Sequence, residues 1–310
     1  MMINMFDLHA DLALAIRRHQ SEYDGAVLRN HWLPIWQKGG IGWTAAASYF
    51  GDGENWEMMK DTVLLVKNDI IQSGLKQIFG PEDLDEKDPC TTVIMTIEGM
   101  CGIRKDPEES VRWMYEQGNR IGSLCWNDEN ALATGNDGDP ARGLTDMGRA
   151  VIKEMNRLHM VVDVSHANEK TFWDILDTSV LPVIASHSNC KRKCFVTRNL
   201  TDQQMQAMAE KGGLIGMNSC EEFISEDPDL QDAEHLAEHA AYMADLIGVE
   251  HIACGFDFGG YYYPEDTQKD LFGPWQAQNF IEGLRNKGFS EDEIRAIAYG
   301  NTMEFLRKYL

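Results

Sequence analysis

Short apolar runs rich in β-branched and aromatic residues alternate along this chain with longer segments of helical period. Eight such runs stand out, at residues 3–8, 42–49, 92–97, 120–126, 160–165, 182–186, 213–218 and 251–256. Between them the apolar spacing changes to that of a helix. WEMMKDTVLLVKNDIIQSG keeps an apolar stripe and stops on Gly74. LTDMGRAVIKEMNRLH starts from Thr145, a good N-cap, and LTDQQMQAMAEKGG repeats the device with Thr201 as cap and Gly212 as stop. Two last helices are expected near residues 291–298 and 302–309.

Strands that alternate with helices pair in parallel through right-handed crossovers, and eight of them match a closed (β/α)8 TIM barrel of the α/β class. A doubly wound open sheet is the rival, but no Gly-rich dinucleotide turn follows the first run. No Pro- or Ser-rich linker and no shorter repeat interrupts the pattern, so residues 1–310 are expected to form one domain. Long connections follow the fourth, seventh and eighth runs, at residues 135–143, 220–232 and 259–269. In a barrel these loops build the active site.

Composition narrows the function classes. Lys and Arg number 28 against 50 Asp and Glu, a formal charge of −22. Such a surface repels phosphate backbones and anionic lipid, so neither nucleic acid nor a membrane is an expected partner. The opening MMINMFDLHADL lacks the basic and apolar regions of a secretory signal, and no apolar run has the length of a membrane span. Seven scattered cysteines suggest no disulfide framework, and a reducing cytoplasm is expected. Cys190 and Cys194 match no zinc spacing and read as reduced loop cysteines.

Polar residues recur at the carboxyl ends of the runs: Asp7-Leu8-His9-Ala10-Asp11, Ile97-Glu98-Gly99, Ser165-His166, Ser186-His187-Ser188 and Phe256-Asp257-Phe258. Residues i and i+2 of a strand share a face, so His9 and Asp11 can grip one cation. Glu98 adds a carboxylate able to join two metals, and His166 and His187 add imidazoles from neighbouring strands. Imidazole with carboxylate suits two zinc ions per chain, with iron, manganese or nickel left open. Two metals about 3.5–4 Å apart hold a hydroxide and polarise a carbonyl. A lone His-x-Asp means little, but five such residues at one barrel face need a compensating cation.

Other signals compete. His235-Leu236-Ala237-Glu238-His239 has the H-x-x-E-H form of an inverted zincin, but it lies on an amphipathic helix expected outside the barrel. His19, His31, His159 and His251 show no partner by spacing and read as structural or exposed. Arg198, in the loop after the sixth run, reads either as a helix-flanking charge or as a fork for a substrate carboxylate.

The motifs FDLHADL, IEG, DVSH, ASHSN with RNLTD, and GFDFGG resemble, in order, those of the membrane (renal) dipeptidase family of the amidohydrolase superfamily. The resemblance runs from Phe6 to the terminal AYGNTMEFL. It implies a two-zinc barrel that cleaves dipeptides, often with a D-residue at the C-terminal position. It implies His9 and Asp11 on one zinc, Glu98 bridging, and His166 and His187 on the other. It further implies Arg198 on the substrate carboxylate and Asp257 as the acid/base.

Three departures stand out. Trp126, followed by Asn127, stands where many members have a substrate-contacting histidine. The family's D-F-D-G reads Asp257-Phe258-Gly259-Gly260, and its S-N-A-R reads Ser188-Asn189-Cys190-Lys191. Trp126 and Asn127 are accordingly expected to touch substrate. The expected function is a soluble, bacterial-type zinc dipeptidase acting through a metal-bridging hydroxide. The alternatives are an N-acyl amino acid deacylase or amidase on the same site, or a barrel that binds small peptides without turnover. A homodimer is left open.

Overall fold

The computed structural model describes residues 2–86, 92–263 and 270–310. Eight parallel strands close into a barrel: β1 Met5–Ala10, β2 Ile41–Tyr49, β3 Thr92–Glu98, β4 Asn119–Ser123, β5 Val161–Asp163, β6 Ile184–Ala185, β7 Leu214–Met217 and β8 Ile252–Cys254. Each pairs with the next in this numbering, and a two-residue strand that falls between β2 and β3 in sequence, Lys76–Gln77, also pairs with the start of β3. β8 pairs with β1 and closes the ring. All eight expected runs fall on barrel strands, and the fold is the (β/α)8 TIM barrel. The end of the expected loop at residues 259–269 falls on 264–269, outside the described residues.

Every barrel strand contributes to one apolar cluster: Phe6 and Leu8, Trp43 and Ala45, then Ile94, Ile121, Val161, Ile184, Leu214 and Ala253. Met303, Phe305 and Leu306 of the last helix pack onto the same cluster. A barrel interior filled this way is a core, and it leaves only the mouth for chemistry. A second, larger cluster joins the outer faces of the strands to the surrounding helices.

The helices begin and end where side-chain chemistry dictates. Thr145 Oγ1 accepts from Gly148 N to start Asp146–Arg157. Thr201 and Gln204 form a reciprocal capping box before Asp202–Glu210. The two last expected helices join, since a π-helical turn, Ala296–Gly300, links Glu291–Arg295 to Asn301–Tyr309.

Candidate active site

The barrel mouth gathers a cluster of buried ionisable side chains. Parity along β1 would send Leu8 inward and His9 outward, because Phe6 and Leu8 both belong to the interior cluster. The pairing of β1 with β2 slips between Asp7 and Ala10, where three steps on one strand match two on the other. This bulge turns His9 into the mouth, a common use of bulges beside active sites. Asp11 lies beyond the strand, at the N-cap of the helix Leu12–His19, yet makes no capping hydrogen bond. Its carboxylate therefore stays free for the cluster. The shared face expected from i, i+2 spacing arises from a bulge and a turn instead.

Glu98 ends β3 at the centre of the group. Its Oε2 is 3.2 Å from His9 Nε2, and its Oε1 is 2.8 Å from His166 Nε2 and 3.6 Å from His187 Nε2. Gly99 follows at φ 80°, and a Cβ there would sit 2.8 Å from Phe50 O, so only glycine turns the chain away directly after Glu98. His9 Nε2 is 3.8 Å from Asp11 Oδ2. His9, Glu98 and His187 form one close set of donors, and His9, Asp11 and Asp257 another. His166 and Asp257 both hold left-handed backbone, at φ 70° and 53°. Non-glycine residues adopt that region at a cost of about 1–3 kcal/mol, typically at functional sites.

The hydrogen bonds behind the histidines set their tautomers. Asn127 Oδ1 lies 2.7 Å from His166 Nδ1, and an amide oxygen only accepts, so Nδ1 carries the proton. Ser186 Oγ donates to Asp163 Oδ2 and lies 2.7 Å from His187 Nδ1, so that nitrogen also donates. Asp163 Oδ1 accepts from the backbone of Ser165 and Ser186, which holds the serine in place. Both Nε2 atoms then present lone pairs, 3.0 Å apart and facing Glu98 Oε1. Lone pairs and a carboxylate pressed together in a dry site repel one another unless a cation joins them. His9 Nε2 and Asp11 Oδ1 are buried without a hydrogen-bond partner, which points the same way. The donor set of three imidazoles and two carboxylates fits a metal centre of the zinc type.

The electrostatics follow from burial and neighbours. Burial, then Arg198, pushes His166 down to about 4, and burial with His9 and Arg198 holds His187 well below its usual value, so both rings are neutral. Burial opposes a charged His9, but Glu98 and Asp11 outweigh it and hold its pKa well above the usual value. Burial would raise Glu98, but the charge on His9 outweighs it and keeps the carboxylate ionised. Asp11 rises to about 6 through burial and Glu98. Asp257 rises to about 7 through burial, with His9 opposing and Asp11 and Glu98 adding to it.

A cavity of about 440 Å³ opens over the cluster, with Asp11, Glu98, His166, Asp257 and Arg198 all in its wall. That size suits a small molecule. Arg198 is 8% exposed, and among the described residues its side chain makes one hydrogen bond, a long one to His187 O, 3.4 Å. Its Nε is buried without a partner, and no carboxylate among the described residues lies within ion-pair distance of it. Phe223 packs under the guanidinium at 5.4 Å.

The whole chain matches one family. The membrane dipeptidase model (peptidase family M19) aligns with residues 2–309. The chain belongs to the membrane dipeptidase family. As a member it is an enzyme, a metallo-dipeptidase by class. An uncharacterized protein in the pqqA 5′ region of Klebsiella pneumoniae is 31% identical over 82% of this chain and 97% of its own. A dipeptidase of Aspergillus oryzae is 29% identical over 63% of this chain, an alignment that spans 46% of the fungal protein. Among solved structures, a metallopeptidase of Rhodobacter sphaeroides, liganded with a phosphinate mimic of the dipeptide L-Ala-D-Ala, shares the fold over the full length of both chains, with a TM-score of 0.88 at 23% identity.

Against that family frame, the structure brings His9, Asp11, Glu98, His166, His187 and Asp257 together, with Arg198, Trp126 and Asn127 around the same cavity. Trp126 stands on edge to Tyr49, ring centroids 5.3 Å apart, and 6.0 Å from His166. The loop at 135–143 does not reach this cavity. Asn136 and Pro140 line a smaller neighbouring one, and the pocket wall comes from the start of the connection, at Trp126 and Asn127. The loops after β7 and β8 do contribute, through Cys220 and Phe223 and through Tyr262 and Tyr263.

The H-x-x-E-H motif lies on the outer helix Ala233–Ile247. His235 bonds Asp232 and His239 bonds Ile224 O, so the two histidines serve separate structural contacts. Spacing missed Tyr49, Asp163, Ser186 and Asn218. Tyr49 ends β2 and was open to the strand-end rule that found Glu98. Asn218, just past β7, donates to Asp257 Oδ2 at 3.3 Å.

Proposed function

We propose that this chain is a zinc-dependent dipeptidase that hydrolyses the amide bond of dipeptides and accepts a D-residue at the C-terminal position. The observation that carries the reading is Arg198: a buried guanidinium with no carboxylate partner among the described residues, in the wall of the cavity that the metal-type cluster also lines. A buried cation without an anion is costly, and a substrate carboxylate supplies one bidentately. Fixing the free carboxylate there would set the adjacent amide over the cluster.

His9 and Asp11 would hold one zinc, His166 and His187 the other, and Glu98 would bridge them. The bound pair would supply a hydroxide and polarise the scissile carbonyl. The chain's own groups do the rest. Asn127 and Ser186 keep His166 and His187 in the tautomer that presents Nε2. Asp257, held by Asn218 and by its own backbone bond to His9 O, takes a proton and returns it to the leaving amine. Trp126 and Tyr49 form an aromatic wall over the scissile region and exclude water from it. The same barrel carries all of these residues, which supports one catalytic domain over the chain. The six described cysteines are unpaired, which supports a reducing cytoplasm.

A zinc-supplemented panel of L-L and L-D dipeptides, read by released amino acid, tests the reading. Leu-Ala and Ala-D-Ala should be cut and acetyl-Ala should not. Cleavage of acetyl-Ala as fast as Leu-Ala would favour the deacylase reading, and zinc uptake without turnover on the whole panel would favour a binding protein.

A further inference from the structure

A second group of metal-type donors lies apart from the catalytic centre. His19 ends the helix Leu12–His19, Glu22 lies in the turn after it, and His31 sits in the π-helical segment Leu28–Trp32. None of the three lines the active-site cavity. Spacing along the sequence gives His19 and His31 no partner, yet the fold stacks their rings with centroids 3.7 Å apart at 23°. His19 Nδ1 is 3.0 Å from Glu22 Oε1. One ligand atom from each of the three residues lies within 4.8 Å of the other two.

The independent observation is the state of His19. The residue is 8% exposed, and its Nε2 is buried with no hydrogen-bond partner. A buried polar nitrogen without a partner calls for an explanation, and an absent ion is one of the few available. Glu22 is exposed and His31 half-buried, so the cluster is anchored on its inner side and open on its outer side.

We propose that His19, Glu22 and His31 form a further site for a divalent d-block cation of the zinc class, separate from the catalytic centre. Two imidazoles and one carboxylate select such a cation over magnesium or calcium, which prefer oxygen ligands. Three protein ligands leave a fourth position for water on the open side. Zinc bonds of about 2.0–2.2 Å require a tighter set than the present one. Glu22 and His31 are the members with room to close in, while His19 is held by packing.

Such an ion would fasten the turn after the first helix to the π-helical segment. The effect reaches the pocket through aromatic contacts. Trp32 stands edge-on to both histidines, with centroids 5.9 and 4.8 Å away, and packs against Tyr261 at 4.6 Å. Trp36 Nε1 donates to Tyr261 Oη at 2.8 Å. Tyr262 and Tyr263, next in the chain, belong to the cavity wall. A cation at His19 would brace that wall from outside.

The test is metal content after equilibrium dialysis of the zinc-loaded enzyme against a zinc series. Wild type is expected to hold one zinc per chain more than Glu22→Gln and one more than His31→Ala. A parallel dialysis with magnesium added should give no magnesium at this site. Equal zinc content in all three proteins overturns the proposal, as does a magnesium gain that both substitutions abolish. Circular dichroism checks folding. If His31→Ala is misfolded, the comparison of wild type with Glu22→Gln, a change at an exposed residue, decides the matter alone.

Discussion

Asn127 Oδ1 accepts a 2.7 Å hydrogen bond from His166 Nδ1, and in doing so fixes which nitrogen of that ring faces Glu98. The sequence places Asn127 among substrate contacts, and it does line the cavity, but this bond gives it a second task. Partners behind a metal-ligating histidine typically contribute about 10–100-fold in metal affinity. We predict that Asn127→Leu loses zinc to a chelator at a free-zinc level about 10–100 times higher than wild type does. Unchanged zinc retention with a raised KM would leave Asn127 as a substrate contact only.

Arg198 gives the second prediction. Its charge is buried and has no ion-pair partner among the described residues, so a dipeptide carboxylate would gain a charge-assisted pair worth about 2–3 kcal/mol. Arg198→Ala should raise KM for dipeptides by about 30–150-fold, the equivalent of that energy. Dipeptide amides should be poor substrates for wild type and should show little further loss in the variant. Equal kcat/KM for a dipeptide and its amide in wild type would remove Arg198 from this role.

A third prediction concerns metal removal. Two buried carboxylates and three buried imidazoles share one site, with the half-buried Asp257 beside them and with His9 Nε2 and Asp11 Oδ1 unpartnered. A cation that binds the folded state and not the unfolded one stabilises by about 4 kcal/mol at a thousandfold excess over Kd. Chelation should therefore lower Tm by several degrees, and zinc should restore it. Glu98→Gln, which weakens the shared ligand, should bind fewer than the roughly two ions expected of a binuclear centre. A chelated protein that melts with the zinc-loaded one would mean that this cluster does not depend on metal.

These tests also separate what the sequence reveals from what only the fold reveals. Strand order and the barrel are legible because apolar runs and helical stripes alternate with capped boundaries such as Thr145 and Thr201. Glu98, His166 and His187 are legible because strand ends in a barrel share one face. The orientation of His9 is not, since a bulge has no reliable signature in one sequence and inverts the parity it interrupts. Asp163 and Ser186 look like ordinary strand residues, and only the pairing of β5 with β6 sets one behind the other. His19 and His31 are 12 residues apart across a turn whose geometry no periodicity describes.

Asp257 provides the prediction that separates chemistry from metal binding. It follows β8 in left-handed backbone at φ 53°, with its amide donating to His9 O and Asn218 donating to its Oδ2. These contacts aim a half-buried carboxylate at the same cluster as His9 and Asp11 without making it the central ligand, a place that Glu98 occupies. A carboxylate so placed can accept a proton as the amide is attacked and give it to the departing nitrogen, without which the tetrahedral intermediate collapses backwards. Asp257→Asn keeps the shape and the side-chain volume and removes the base. It should retain close to full zinc while turnover falls by about 10²–10⁴. Loss of a metal in proportion to activity would make Asp257 a ligand and move the proton transfer to another group. Retention of both metal and turnover would remove the acid/base step assigned to it.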